Sequence, residues 1–204
     1  MKLLLRVAGL LLLSGFLLCC NKDGPTPVVT MEWEPDGSGY RQFSTNDIEY
    51  EGASCWYYTG DSHQDPMTSV ITKVKQLSGP NHVGVGVIFC FQDHDNFYLF
   101  EITTGGEYGV WKRVDGKWSE IVERSDTGEV YRGLDRVNRL KVMYEETAAD
   151  TFTLYVNGTE IDSFVDPKFS GGFSGYECYV RPGQSFPDIP VDARFQQLVP
   201  VPDP

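Results

Sequence analysis

The stretch Val83–Trp118, VGVGVIFCFQDHDNFYLFEITTGGEYGVWKRVDGKW, decides the fold of this chain. Turn-forming residues divide it at Asp93-His94-Asp95-Asn96, at Gly105-Gly106 and at Asp115-Gly116. The stretch therefore predicts three β segments joined by compact turns, with a further hairpin turn before Trp118. In the first segment one set of apolar residues alternates with its neighbours at the period of two that is typical of a strand: Val83, Val85, Val87, Phe89 and Phe91.

Short β-rich runs continue on both sides of this stretch. Phe152, Leu154 and Val156 alternate with other residues and end at Asn157-Gly158, which is a strong two-residue hairpin signal. No part of residues 31–204 has a helical periodicity longer than about one turn. Many short strands with regular turns predict an all-β fold, a two-sheet antiparallel β-sandwich or jelly roll. The predicted strands are 47–59, 68–77, 83–91, 97–103, 108–114, 136–145, 152–156, 159–165, 171–180 and 193–199.

Residues 1–19 have the layout of a secretory signal peptide. Lys2 and Arg6 form a short basic region, and the apolar run that follows ends at Leu18, too soon for a membrane span of about 20 residues. Leu17-Leu18-Cys19-Cys20 resembles the lipobox of bacterial lipoproteins. This resemblance implies export and a lipid anchor on Cys20, at the periplasmic or cell-surface face of a membrane. The alternative is an ordinary signal peptide with incidental cysteines.

The composition of the rest of the chain predicts one folded domain behind a short tether. Residues 20–31 are predicted to hold the lipidated cysteine and a linker, because Asn21 to Pro27 is polar and contains Gly24, Pro25 and Pro27, which is typical of an extended segment. Residues 32–204 suit a single domain with a substantial core, and no internal repeat marks a second one.

The charge balance limits the partners of this domain. The chain has 17 Lys and Arg against 29 Asp and Glu, a formal net charge of −12, and loss of Lys2 and Arg6 leaves 15 against 29, or −14. An acidic surface repels phosphate backbones and anionic headgroups. We therefore expect no nucleic-acid binding, and attachment to a membrane through the lipid anchor alone.

Three cysteines, Cys55, Cys90 and Cys178, lie in predicted strands. An odd number allows one disulfide and leaves one thiol. The pattern favours small buried packing residues, and a single inter-strand bridge is the alternative. A zinc site is not indicated, because the sequence has no CxxC pair and no matching histidine spacing.

The order of short motifs along the chain resembles a known family. GVGVIF, DNFYLFEI, GEYGVWKRVDGKW, NRLKV, FTLYVNG and FSGGFSGYECYV follow one another between Tyr50 and Val199. Together they resemble the concanavalin A-like, or laminin G-like, jelly roll, and most closely the bacterial domains found in exported proteins and beside glycan-degrading modules. The resemblance implies the fold. It leaves the function open, because such domains include lectins, hydrolases and adhesion modules.

Carbohydrate binding is the activity that the residues themselves suit best. Sugar rings stack on exposed aromatic side chains, and neighbouring polar groups orient their hydroxyls. Trp111 and Arg113 share one face of a predicted strand, and Glu101 in the preceding strand joins them if the hairpin register allows. Trp118 and the cluster Trp56-Tyr57-Tyr58 are further candidates. The competing interpretation is that these aromatic rings pack in or against the core.

Asp93, Asp95 and Asn96 are the candidate metal ligands. They place several oxygen donors in one turn, and the resemblance implies a calcium site at the rim of the sandwich. The alternative is that Asp and Asn simply form a tight turn.

Catalytic residues are not evident in the sequence. Glycoside hydrolases of the resembled superfamily carry acids in an ExDxE pattern on one strand, and this chain has none. The nearest acids lie in Glu123–Glu129, which we predict to be a loop. We therefore expect a non-catalytic module that binds a glycan or another extracellular ligand. A glycan-processing hydrolase and a structural, protein-binding adhesion lipoprotein are the alternatives.

Overall fold

The computed structural model describes residues 30–33, 41–45, 54–58, 69–145, 150–179 and 191–198. Side chains are described for 69–145, 150–178 and 191–196. The predicted signal peptide, Cys20 and nearly all of the predicted linker lie outside these residues.

The described residues form thirteen strands and no helix. Two antiparallel sheets result, a seven-stranded sheet in the order β1-β2-β13-β4-β9-β10-β11 and a six-stranded sheet in the order β3-β12-β5-β6-β7-β8. The predicted two-sheet β-sandwich is confirmed. Within the same residues, no helix is long and apolar enough to cross a bilayer. The strands are β1 Thr30–Trp33, β2 Arg41–Thr45, β3 Ser54–Tyr58, β4 Ser69–Ser78, β5 Gly84–Asp93, β6 Asn96–Thr103, β7 Glu107–Val114, β8 Lys117–Asp126, β9 Asn138–Glu145, β10 Thr151–Val156, β11 Thr159–Val165, β12 Phe173–Tyr179 and β13 Val191–Leu198.

The main core lies between the two sheets and is built from alternating residues of each strand. Phe89 of β5 contacts Tyr98 of β6 in its own sheet and Phe152 of β10 in the other, with ring centroids 5.2 and 5.5 Å apart. Leu140 and Leu154 of the seven-stranded sheet are fully buried in the same cluster. Burial of these side chains is the main force that holds the sandwich together.

A second apolar cluster covers the outer face of the six-stranded sheet, the face turned away from the main core. Its buried members are Ile88, Phe91, Phe97 and Leu99, and the half-buried rings of Trp111, Trp118 and Phe173 pack against them. The six-stranded sheet is therefore apolar on both sides along part of its length. This explains why Ile88 and Phe91 of β5 are buried as well as the residues of that strand that face the main core.

The strand β5 departs from the simple alternation that its sequence predicts. The register between β5 and β6 shifts after Phe89, and Cys90 adopts a positive φ of 50°. A bulge of this kind adds one residue and reverses which side chains face the core. Phe91 consequently joins the outer cluster instead of following Val85, Val87 and Phe89 into the main core, so the alternation seen in the sequence stops at Phe89.

Three strands were not expected from the sequence. β1 and β2 add an edge to the seven-stranded sheet, and β8 extends from Lys117 to Asp126 at the edge of the six-stranded one. The prediction of a loop at Glu123–Glu129 is therefore wrong for its first four residues. β8 is polar because it is an edge strand with many exposed side chains, which lowers the apolar signal of its sequence.

Candidate functional site

The structure brings four predicted site residues to the outer face of the six-stranded sheet. In the ladder between β6 and β7, Leu99 lies opposite Trp111 and Glu101 lies opposite Gly109. Arg113 lies opposite Trp118 of β8 in the next ladder. The indole Nε1 of Trp111 donates a hydrogen bond of 2.9 Å to Oε1 of Glu101. The register of this hairpin therefore places Glu101 on the same face as Trp111.

Glu101 also forms a buried ion pair with a residue that the sequence did not indicate, Arg124 of β8. Nη2 of Arg124 lies 2.5 Å from Oε1 of Glu101, and Nη1 donates to the backbone oxygen of His82 at 3.1 Å. The side chain of Glu101 is 0% exposed and that of Arg124 is 3% exposed. Two charged groups are thus removed from water beside the ring of Trp111, and each fixes the other in place.

Two glycines of β5 provide the space for this carboxylate. A Cβ at Gly84 would lie 1.7 Å from Oε2 of Glu101, and a Cβ at Gly86 would lie 2.3 Å from the backbone oxygen of Phe100. Any larger residue at either position would displace its neighbours. The alternating glycines in the sequence VGVGV therefore serve the close approach of Glu101 to the strand.

A second buried carboxylate, Glu177 of β12, lies on the same face. Gly86 pairs with Glu101 on one side and with Glu177 on the other, so the two acids flank one glycine at the same level of the sheet. Their Cα atoms are two strand spacings apart, roughly 9–10 Å. Glu177 is 1% exposed. The sequence offered one signal for it, a charged residue between the buried Tyr176 and Cys178 of a predicted strand.

Arg113 is held by contacts within the protein. Its Nη2 donates to Oδ1 of Asp95 at 3.1 Å, and its Cζ lies 5.5 Å from the centroid of the Trp118 ring. Trp118 in turn meets Phe97 edge-on with ring centroids 5.4 Å apart. Arg113 thus links the turn after β5 to the half-buried Trp118. Its role in ligand binding stays a prediction.

The predicted calcium ligands form a hydrogen-bonded turn. Oδ1 of Asp93 accepts bonds from the backbone nitrogen of Asp95 and from Nδ2 of Asn96, each 2.8 Å long. Oδ1 of Asn96 accepts a bond of 3.2 Å from the backbone nitrogen of Asp115. A calcium ion would have to compete with these bonds for the same oxygens. In the part of the chain that is described, no three His, Cys, Asp or Glu side chains are grouped to hold a metal.

The face as a whole combines half-buried aromatic rings with a buried charged cluster. Trp111 joins the two parts, because its ring packs on the outer apolar cluster and its N–H reaches Glu101. Such an arrangement can present a rigid aromatic surface to a ring-shaped ligand, with the buried charged cluster fixing the orientation of the Trp111 ring. Trp56, Tyr57 and Tyr58 lie on β3, whose side chains fall outside the described set.

Comparison with known proteins identifies the fold. No protein-family model matches the chain. No curated protein is significantly similar to it in sequence. The structure is similar to the carbohydrate-binding module CBM66 from Bacillus subtilis, with a TM-score of 0.61 at 16% identity over 83% of this chain and 89% of that chain.

Two carbohydrate-active enzymes share the same architecture. The β-glucanase of Bacillus licheniformis has a TM-score of 0.56 at 10% identity, with 90% of this chain and 91% of that chain covered. The endo-β-1,4-glucuronan lyase of the fungus Trichoderma reesei has a TM-score of 0.50 at 6% identity, with 83% and 84% covered. The chain therefore has a concanavalin A-like jelly-roll fold, and at these identities the likeness extends to the fold alone.

Proposed function

We propose that this protein is a non-catalytic glycan-binding module, exported and held at a bacterial membrane by a lipid on Cys20. The observation that carries the binding proposal is the ring of Trp111, half-buried on the outer face and fixed by a hydrogen bond to the buried Glu101. The likeness of the fold to a carbohydrate-binding module supports it. Calcium is part of the proposal only as a ligand of the Asp93–Asn96 turn.

Trp111 would bind the sugar by stacking. An aromatic ring that is already held in one orientation loses little conformational freedom when a ligand stacks on it, so more of the contact energy remains as affinity. The neighbouring Trp118 would extend the aromatic surface. The ion pair of Glu101 and Arg124 would act indirectly, because it holds the indole N–H and so fixes the orientation of the ring.

A glycan array tests this proposal. Residues 21–204 would be screened with and without calcium, beside Trp111→Ala and a matched control, Tyr155→Ala. Tyr155 is also half-buried, but it lies on β10 of the other sheet, under the ammonium group of Lys141. We expect specific binding that Trp111→Ala abolishes and Tyr155→Ala retains. A folded protein that binds no glycan would refute the proposal.

A milder substitution separates the contact with the ligand from the support of the ring. Trp111→Phe keeps an aromatic surface but loses the hydrogen bond to Glu101. We expect its affinity for the glycan to fall by about 5- to 50-fold. A phenyl ring still stacks on the sugar, but a ring that is not held in one orientation loses more conformational freedom on binding. Equal loss in the Ala and Phe variants would indicate that the ring only supports the sheet.

The pair Glu101 and Glu177 favours a second candidate, a glycan-processing hydrolase. Two carboxylates on one face could act as acid and base. Inverting enzymes use two carboxyl groups roughly 6.5–9.5 Å apart, a separation that side chains two strands apart can reach. Both acids are buried, however, and Glu101 is bound to Arg124. We therefore favour binding. Release of reducing sugar from a bound oligosaccharide, lost in Glu177→Gln, would reverse this preference.

The lipid anchor has its own test. Export of the full chain with a labelled fatty acid should label the wild type and Cys19→Ser, because the lipobox resemblance assigns the anchor to Cys20. Cys20→Ser should remain unlabelled. Label retained in Cys20→Ser would place the lipid on a residue other than Cys20. No label in the wild type would leave the protein with an ordinary signal peptide.

A further inference from the structure

Cys55 and Cys178 occupy directly opposite positions on neighbouring strands. In the antiparallel ladder of β3 and β12, Cys178 is the partner of Cys55. Opposite residues of an antiparallel pair have Cα atoms about 4.5 or 5.5 Å apart, depending on the hydrogen-bonding pattern. Disulfides join residues whose Cα atoms are roughly 4.4–6.8 Å apart. Both values fall in this range, so the backbone allows a bond between these two positions.

The third cysteine of the folded domain is too far away to compete. On β5 the partner of Cys178 is Val85, and Cys90 lies five residues farther along the same strand. Five residues of an extended strand span roughly 16 Å, more than twice the reach of a disulfide. In the structure Cys90 and Cys178 carry free thiols, and both are buried.

Burial determines when such a bond can form. Cys178 belongs to the main core, and burial raises the pKa of its thiol well above the ordinary value. A buried neutral thiol reacts slowly, because the thiolate is the reactive form. The bond must therefore form during folding, before the two sheets close over Cys178. β3 stands at the end of the six-stranded sheet and pairs with β12 there, so the bond would attach an edge strand to its neighbour.

We propose that Cys55 and Cys178 form a cross-strand disulfide when the protein folds under oxidising conditions, and that Cys90 remains a thiol. One thiolate attacks a disulfide of an oxidant such as oxidised glutathione or a dithiol–disulfide oxidoreductase, and a mixed disulfide forms. The second cysteine then displaces the oxidant as a thiol. The two cysteines lose two protons and two electrons in total, and the oxidant is reduced by the same amount.

A non-reducing peptide map tests the pairing directly. The full chain would be expressed with export, denatured, alkylated without reduction and cut with trypsin. Cys55 falls in peptide 42–73, Cys90 in 76–112 and Cys178 in 169–194, since Pro182 blocks cleavage after Arg181. We expect 42–73 joined to 169–194 and an alkylated 76–112. Alkylation of all three cysteines, or a bond that includes 76–112, would overturn the proposal.

Thermal unfolding gives a second, independent readout. A bond that closes a loop of more than 100 residues should raise the unfolding midpoint by roughly 5–15 °C over the reduced protein. The wild type and the control Cys90→Ala should both lose this increment on reduction, and Cys55→Ala should show no response. The assignment would be contradicted if oxidised Cys90→Ala lacked the increment that the oxidised wild type has. It would also be contradicted if reduction did not change the midpoint of the wild type.

Discussion

Gly84→Ala should disrupt the buried ion pair at the centre of the proposed site. The added Cβ would lie 1.7 Å from Oε2 and 2.6 Å from Cδ of Glu101, and 3.1 Å from Nη2 of Arg124. Atoms cannot approach this closely, so the carboxylate must move. Glu101 is completely buried and has no exposed space to move into. The methyl group therefore separates Glu101 from Arg124 or from Trp111.

The size of the effect follows from the burial of the pair. Breaking a buried ion pair costs about 3–5 kcal/mol, because each charge is left without its partner in a medium of low polarity. Replacing Gly by Ala returns only about 0.4–1 kcal/mol through the unfolded chain. For a domain of this size about 1 kcal/mol shifts the midpoint by roughly 2–4 °C. We expect Gly84→Ala to lower it by roughly 5–15 °C.

Gly109→Ala is the matched control. Gly109 lies on β7 opposite Glu101, but a Cβ there would meet its nearest atoms at 3.5 Å, an ordinary contact. We expect its midpoint to stay within about 3 °C of the wild type. Thermal unfolding followed by tryptophan fluorescence measures both variants, and the indole of Trp111 should also report the loss of Glu101 in the folded state. A Gly84→Ala midpoint equal to that of Gly109→Ala would refute the argument that Glu101 is locked in place.

Three further substitutions test the supporting contacts. Burial pushes the pKa of Asp166 up, but hydrogen bonds from Lys112, the backbone of Lys168 and Tyr98 outweigh it and hold that pKa below its ordinary value. The ionised carboxylate therefore stabilises the folded protein above about pH 4, and this contribution is lost as the pH falls through the folded pKa. In Asp166→Asn, the free energy of unfolding in urea should decrease less below about pH 4 than it does in the wild type. Asp93→Ala removes two hydrogen bonds of the turn and should lower the free energy of unfolding by about 1–2 kcal/mol in the same assay without calcium. If calcium raises the stability of the wild type but not of this variant, the calcium prediction is supported. Asn157→Gly keeps the positive φ of 53° but removes the bonds to Glu129 and Asn138, and we expect a loss of about 1–3 kcal/mol; no loss would mean that backbone conformation alone selects Asn there.

The parts of the fold that the sequence predicted are those controlled by local patterns. The period of two in β6 and β7, together with the turn at Gly105-Gly106, determines which residues of that hairpin share a face, and so Glu101 and Trp111 could be placed together. The turn at Asn157-Gly158 is a similar case. In each, the information lies within a few residues of the chain.

The parts that were missed depend on pairing between distant segments. Arg124 reaches Glu101 because the register of β8 against β7 shifts near Val110, and no local pattern encodes that irregularity. Glu177 reaches the same face through the ladder that β12 forms with β5, about 90 residues earlier in the chain. The bulge at Cys90 likewise exists only within the completed sheet. Periodicity gives the faces of a strand, and its partners must be known before a site can be assembled.

The composition of the outer face argues that it serves binding more than stability. Glycine weakens a strand, and a buried ion pair is often no more stabilising than apolar residues of the same volume. Part of this face is already packed with the apolar residues Ile88, Phe97 and Leu99. The same packing could have continued along the strands to the rest of the face. The rest of the face instead has Gly84 and Gly86 in β5, with the ion pair of Glu101 and Arg124 packed beside them. Glu101→Gln separates the positioning of Trp111 from the stability that the ion pair provides, because glutamine keeps a hydrogen-bond acceptor for Trp111 and removes the charge. If positioning is the role, glycan binding should survive in Glu101→Gln and be lost in Glu101→Leu, even where the leucine variant is the more stable protein.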